Sequence, residues 1–404
     1  MGLRLLFSNT ALGLAFAAFS PLVFAQSPIM MSDALAQAWA RHPASQSAAA
    51  RAEEIAARQR AAASLTPAPP TLALSQLSDA RFANSGRRAT EAELSIPIWN
   101  WGARDAARSA ANAEGGLIEA QLAVTKLKLS GEVREALWAL AIARVEQAVA
   151  TRKVTDAQTL GEDVARRVGA GDLAPVDANL AQSALRLAQL GAAQARDAIL
   201  RAELAVQSLV GKSDVTPLGE TPAQPLRAED HPNVRSAERL RSAAQSRSAS
   251  AQAERREGPT LHFTISREKA LADAAVEKVL RIGISVPLFT NREGGVRVAS
   301  ANAELAEAQA LALQARAQVD ADMALAQRSV DLANEIASAA NSRAQLARET
   351  QAMYTKSFQL GESDLPTRLR AEAERFEAER AAERARVEAL RAISRLNQSF
   401  GVTP

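Results

Sequence analysis

Few residues in this chain are placed to do chemistry. The 404 residues include 3 histidines and no cysteine, so disulfides, thiolate metal clusters, thiol nucleophiles and acyl attachment at a cysteine are excluded. His42 and His231 each precede a proline, Pro43 and Pro232. Proline sits comfortably in a first helical turn, so helix entry explains these histidines better than metal ligation. His262 stands alone on the polar side of an alternating segment, where solvation explains it better than a ligand role. No HExxH, GxSxG, Walker loop or dinucleotide fingerprint occurs, and Gly294-Gly295 opens a helix without phosphate-loop spacing. Neither a cofactor nor a resident metal is implied, and the chain does not read as an enzyme. What remains is a set of acids beside glycines. Asp172 and Asp177 follow Gly169 and Gly171; Glu362 and Asp364 follow Gly361, with Thr367 and Arg370 next. Such acids either cap helix starts or, gathered from several copies, draw cations into an aqueous mouth.

The elements that must hold these residues are long helices. The chain is 47% hydrophobic but only 4% aromatic, and alanine is its commonest residue. That favours closely packed helices over several compact cores. Net charge is +3 with the basic residues spread out, which does not point to nucleic acid. Residues 1–25 have the layout of a secretory signal: Arg4, an apolar run from Ala11 to Phe19, and Val23-Phe24-Ala25 before a cut at Gln26. Ser20-Pro21 stops the run short of the ~20 residues that a membrane span needs, so no helical membrane anchor is expected.

The rest of the chain repeats. His42-Pro43 returns as His231-Pro232, and Ser95-Ile96-Pro97-Ile98-Trp99 as Ser285-Val286-Pro287-Leu288-Phe289. Gly171-Asp172-Leu173 returns loosely as Gly361-Glu362-Ser363, and Leu209-Val210-Gly211 as Ser399-Phe400-Gly401. The offsets are 189 or 190 residues in constant order, which marks an internal tandem duplication. The copies are residues 26–211 and 231–404, joined by a Pro-rich linker, 212–230.

Each copy starts with a helix at the His-Pro pair, about 43–65 or 232–256. Two segments of period two follow, and these are strands. Ala92, Leu94, Ile96 and Ile98 alternate with Glu91, Glu93, Ser95 and Pro97, with Leu72 and Leu74 on the partner. In the second copy Leu261, Phe263 and Ile265 pair with Leu280, Ile282 and Ile284. A helix of about 65 residues then runs near 103–168 or 295–357, ended by Gly169 and Gly171 or by Gly361. A last helix covers about 174–210 or 365–400. Leu185, Ala188, Ala192, Ala195, Ile199, Ala202, Val206 and Leu209 recur at coiled-coil spacing along it. Ala378, Ala382, Ala385, Ala389, Ala392 and Leu396 do the same in copy two.

At about 1.5 Å per residue the longest helices reach ~100 Å, a rod and not a globule. The strands are amphipathic and long enough to cross an outer membrane, although a soluble β-layer capping a helical stalk has the same pattern. In lipid the sheet must close, and four strands cannot form a barrel alone. Two copies would give 8 strands, too narrow for a channel, and three give 12. Trp99 and Trp101 leave the sheet where tryptophan favours a membrane interface; core packing is the alternative.

With these features the sequence resembles the TolC-like outer membrane efflux proteins over essentially all of residues 26–404. The carriers are Ser95 to Gly102, Ser285 to Gly294, and Arg167-Val168-Gly169-Ala170-Gly171-Asp172 continuing to Asp177. The stretch from His231-Pro232, with Pro287 to Gly294, looks most like the heavy-metal-efflux branch. The resemblance implies a homotrimer with a long coiled α-helical barrel and a shared trans-outer-membrane β-barrel. It would conduct substrate passively from periplasm to exterior, heavy-metal cations among the candidates. It also implies a periplasmic adaptor (membrane fusion protein), an inner-membrane pump and outer membrane lipid as partners. Gly169, Gly171, Asp172, Gly361, Glu362 and Asp364 would then meet the adaptor, and Trp99, Trp101 and Phe289 would mark the membrane interface. Members of the family carry acidic rings just past the second turn. Here those positions are Thr367 and Arg370, so Asp177, Thr367 and Arg370 are the aperture candidates. A protein-secretion duct shares this fold, and a periplasmic helical adaptor is the reading from another class.

Overall fold

The computed structural model describes residues 30–81, 85–212, 219–288 and 292–404; the signal segment and Phe289 lie outside them. The element order runs twice. Helices α1 (Met31–Arg41), α2 (Pro43–Gln46) and α3 (Ala48–Ala62) lead to strands β1 (Thr71–Ser78) and β2 (Arg88–Pro97). Then come α4 (Ala103–Ala170) and α5 (Pro175–Val210). The second pass has α6 (Pro232–Ala253), β3 (Thr260–Lys269), β4 (Glu277–Ser285), α7 (Arg292–Gln359) and α8 (Leu365–Ser399). Both α4 and α7 have 68 residues, about 100 Å of helix.

Local chemistry explains the joints. His42 Nδ1 accepts from the Ala44 amide at 3.1 Å, and His231 Nδ1 accepts from the Asn233 amide at 3.2 Å. Both histidines are therefore helix N-caps ahead of a proline. His231 is 2% exposed and also holds a backbone hydrogen bond to Ser399 at the end of α8. Gly401, at φ +78°, lies so close that a Cβ there would sit 2.8 Å from His231 Cδ2. The C-terminal end of α8 thus abuts the start of α6, and the two act as one rod.

In sequence α4 packs on α5, α6 and α8, while α7 packs on α6 and α8. Small residues make these approaches close: Ala188, Ala378, Ala385 and Ala392 are buried, as the coiled-coil spacing requires. Antiparallel α4 and α8 are further joined by an acid-to-arginine ladder. Glu135 pairs with Arg391 and Arg395, Glu146 with Arg384, and Asp156 with Arg375.

Two features differ from the sequence expectation. Residues 31–41 form a helix of their own, whose Met31, Ala34, Leu35 and Ala38 enter a core with Val133, Leu137, Trp138 and Val206. The helix expected over 43–65 is interrupted by a turn at Ser47, between α2 and α3, and it ends at Ala62. Linker residues 219–223 are also pinned. Arg134, 2% exposed, holds Glu220 through Nε and Nη2 and reaches Gln398 Oε1 and the Val402 carbonyl. Asn397 brackets the Thr221 carbonyl and the Ala223 amide.

Candidate functional site

The two ends of the molecule carry the candidate residues. At one end the strands make a single antiparallel sheet in the order β1-β2-β3-β4. The register aligns Leu72, Leu94, Phe263 and Ile282 in one row, Leu74, Ala92, Ile265 and Leu280 in the next on the same face, and Ile96, Leu261 and Ile284 in a third. Alternation sends Glu91, Glu93, His262, Thr264 and Arg281 to the other face. Leu74 is 75% exposed and Ile282 64%, so the apolar face has no cover from its own chain. Ten residues of β2 at about 3.4 Å each, tilted by about 40°, span about 25 Å, the height of an outer membrane apolar band. His262 is partnered on the polar face: its Nδ1 lies 2.7 Å from Glu93 Oε1 and 3.2 Å from Ser95 Oγ. Among the described residues no three His, Asp or Glu side chains converge as a metal site, and no helix is long and apolar enough to cross a membrane.

Where the sheet meets the helices, Trp99 Nε1 donates to the Ser64 carbonyl at 3.2 Å, while Trp101 is fully exposed. The two tryptophans therefore have different surroundings: Trp99 is anchored and Trp101 faces outward.

At the opposite end lie the two helical turns. The Asp172 amide bonds the Arg167 carbonyl and the Gly171 amide bonds the Val168 carbonyl. The second turn repeats this with Glu362 to Ser357 and Gly361 to Phe358. This is the Schellman closure, which needs a left-handed residue, and Gly171 and Gly361 supply φ +88° and +76°. Gly169 is different: it lies inside α4, which continues to Ala170, so it breaks nothing. Asp364 is an N-cap, accepting from the Thr367 amide at 3.1 Å. The Thr367 hydroxyl, with that amide, holds its carboxyl below the usual aspartate range. Asp177 caps as well, accepting from the Ala174 amide. Asp172 and Glu362 accept no such bond and are exposed, as is Arg370; Thr367 is half-buried beside the Asp364 cap.

The sequence reading missed what joins the two turns. Phe358 of α7 is buried, with the Arg167 guanidinium of α4 5.3 Å from its ring centre and that of Arg368 of α8 5.0 Å away. Leu160, Val164, Ala181 and Leu365 complete this small core. One helical turn above, Glu372 is buried between arginines, and burial raises its carboxyl pKa against the pull of Arg368 and Arg375. Arg368 and Glu372, four residues apart with Phe376 a further four on, were the available signal.

Paired rods of about 100 Å, joined at one end to an uncovered amphipathic four-stranded sheet, define the architecture of this chain. Residues 34–212 match the model of the outer membrane efflux protein family. A curated relative, the cobalt-zinc-cadmium resistance protein CzcC of Cupriavidus metallidurans, is 26% identical over 235 residues. That match covers 56% of this chain and 56% of CzcC, so the chain spans about half the length of this relative. The outer membrane protein VceC of Vibrio cholerae superposes with a TM-score of 0.75 at 18% identity, over 92% of this chain and 96% of VceC. CusC, described as forming a transmembrane channel, gives 0.76 at 15% identity, over 92% of each.

Proposed function

We propose that three copies of this chain form an outer membrane exit duct that passively conducts substrate from the periplasm to the exterior. The observation that carries this is a coincidence of open edges. Strands β1 and β4 are the unpaired edges of the sheet. The helices on the corresponding flanks, α5 and α7, keep large side chains exposed: Leu187, Leu190, Leu200 and Leu204 on one, Leu313, Leu325, Leu332 and Leu346 on the other. Pairing β4 of one copy with β1 of the next satisfies the backbone groups that lipid would leave unpaired. The same step brings the two apolar helix stripes together. Three copies give 12 strands, wide enough for an aqueous lumen lined by Glu91, Glu93 and His262.

In this reading the domain limits are those of the repeats: a signal over 1–25, copies over 26–211 and 231–404, and the linker 212–230. The turns around Gly171 and Gly361 meet the helical hairpin of a periplasmic adaptor, which couples the duct to an inner-membrane pump. Asp172, Glu362 and Asp364 supply negative charge at that mouth. The relation to CzcC supports divalent heavy-metal cations as cargo. A periplasmic adaptor, the competing class, would show one hairpin between β-rich domains, whereas this chain has two hairpins on one sheet.

Membrane fractionation tests the reading. The protein is expected in the outer membrane as a heat-modifiable trimer, and its deletion is expected to sensitise cells to cobalt, zinc or cadmium. Recovery as a soluble periplasmic monomer would overturn it.

A further inference from the structure

The apolar face of the sheet does not stay apolar to its end. In the next two rows of that face beyond Leu74, Ala92, Ile265 and Leu280, towards the hairpin turns, alternation places Arg267 and Lys278, then Arg88 and Lys269. The register places Arg88 opposite Lys269 and Arg267 opposite Lys278. Arg88, Arg267 and Lys278 are exposed and Lys269 is half-exposed. None of the four forms an ion pair with a described acid, although Glu268 and Glu277 are their neighbours in sequence. Those two acids face each other across β3 and β4 on the opposite side of the sheet, where Glu268 is engaged by Arg87 instead. A merely solvated strand end would mix the two signs to relieve repulsion between like charges directly opposite. Here the lipid side carries cations without a described acid, while on the lumen side Arg87 offsets the carboxylates.

We propose that Arg88, Arg267, Lys269 and Lys278 form a docking rim for the phosphorylated headgroups of outer-leaflet lipid. This rests on the reading that the sheet spans the outer membrane. The hairpin end is the one furthest from the helices, so it lies at the outer leaflet. The rim continues the apolar rows at the height where acyl chains give way to headgroups. Long basic side chains there keep their stems along the apolar surface and their charges at the phosphates. Three copies would set a belt of twelve cations around the barrel. Each basic residue at an anionic lipid surface is worth about a fivefold gain in affinity.

The test uses the full-length trimer purified in dodecyl maltoside and titrated with bisphosphorylated lipid A, dephosphorylated lipid A or sodium phosphate. Bound lipid is counted by native mass spectrometry and thermal melting is followed by tryptophan fluorescence. Bisphosphorylated lipid A is expected to bind and raise the melting temperature, and the dephosphorylated form to do so much less. The variant R88Q/R267Q/K269Q/K278Q is expected to lose at least tenfold in lipid A affinity. R88K/R267K, which keeps the charges, and E268Q/E277Q, on the lumen face, are expected to bind like the wild type. Should the quadruple variant disrupt assembly, Arg267→Gln alone, expected to weaken binding several-fold, carries the comparison. Wild-type affinity in the neutralised variants, or equal protection by free phosphate, overturns the proposal. Failure of the wild-type protein to reach the outer membrane is a separate result that overturns the spanning reading, and the rim with it.

Discussion

Arg134 of α4 and Glu220 of the linker form a two-point ion pair, 2.9 Å at its shortest, with side-chain exposures of 3% and 12%. The pair clamps the segment joining the two copies onto α4, next to the end of α8. Breaking a buried pair from one side leaves an unpaired charge and costs about 3–5 kcal/mol. Arg134→Met is therefore expected to lower the melting temperature of the protein strongly. Arg134→Met with Glu220→Gln should recover part of that loss. Equal melting of the single variant and the wild type would show that the clamp carries no stability.

The His231 cap makes the joint between α8 and α6 sensitive to acid. Burial lowers its pKa, against the raising effects of the Ser399 backbone bond and Asp322. A histidine with a depressed folded pKa binds fewer protons when folded than when unfolded, so stability rises with pH across that window. Its contribution is complete above the unfolded value of about 6.5 and is lost as pH falls below it. Protonation also removes the lone pair that accepts from Asn233. His231→Asn keeps an acceptor and cannot titrate. Melting between pH 8 and pH 5 should therefore fall more steeply for the wild type than for this variant, and parallel curves would exclude His231 as the cause.

Much of this architecture is legible in the sequence because rods and strands are periodic. The alternation at Leu94, Ile96, Phe263 and Ile265, and the seam through Ala188 and Val206, survive as the faces the structure uses. What was missed depends on contacts between distant segments. Phe358 gives no local hint that Arg167 and Arg368 will flank its ring. Glu220, in a Pro-rich stretch, looks solvated until Arg134 is placed beside it. The helix 31–41 had a readable stripe, Met31, Ala34, Leu35 and Ala38, hidden by its closeness to the signal segment. Among the tip acids, the sequence could not separate Asp364 and Asp177, which cap, from Asp172 and Glu362, which do not.

The turns at Gly171 and Gly361 should tolerate bulk in space but not in backbone. No atom lies within 4 Å of a Cβ built at either glycine, so any cost of substitution is conformational. A β-branched residue in the left-handed region costs about 1–2 kcal/mol, small beside the packing of two 68-residue helices. If these turns meet the proposed adaptor, Gly171→Val with Gly361→Val is thus expected to insert and trimerise normally while metal resistance falls, because the turn shape changes. Gly169→Ala, inside the helix, should leave resistance unchanged. Full export by the double variant would move the adaptor contact elsewhere.

Charge at the same turns can be tested apart from their capping. Asp364 holds the Thr367 amide, and asparagine caps a helix about as well as aspartate. Asp364→Asn therefore removes the charge and keeps the fold, while Glu362→Gln removes an exposed carboxylate that caps nothing. Three copies of the pair would place six negative charges around one aqueous mouth, with Arg370 close behind in each. Like charges in a narrow opening concentrate counter-ions, and the screening length sets how far the effect reaches. It is about 30 Å at 0.01 M salt and about 3 Å at 1 M. In planar bilayers the double variant is expected to lose cation preference at about 10 mM salt and to match the wild type near 1 M. Arg370→Gln should shift the low-salt preference the opposite way. If the double variant and the wild type share one cation preference across the whole salt series, these acids serve the helix ends alone, and selection of a divalent cargo has to be sought at the lumen face around Glu91 and Glu93.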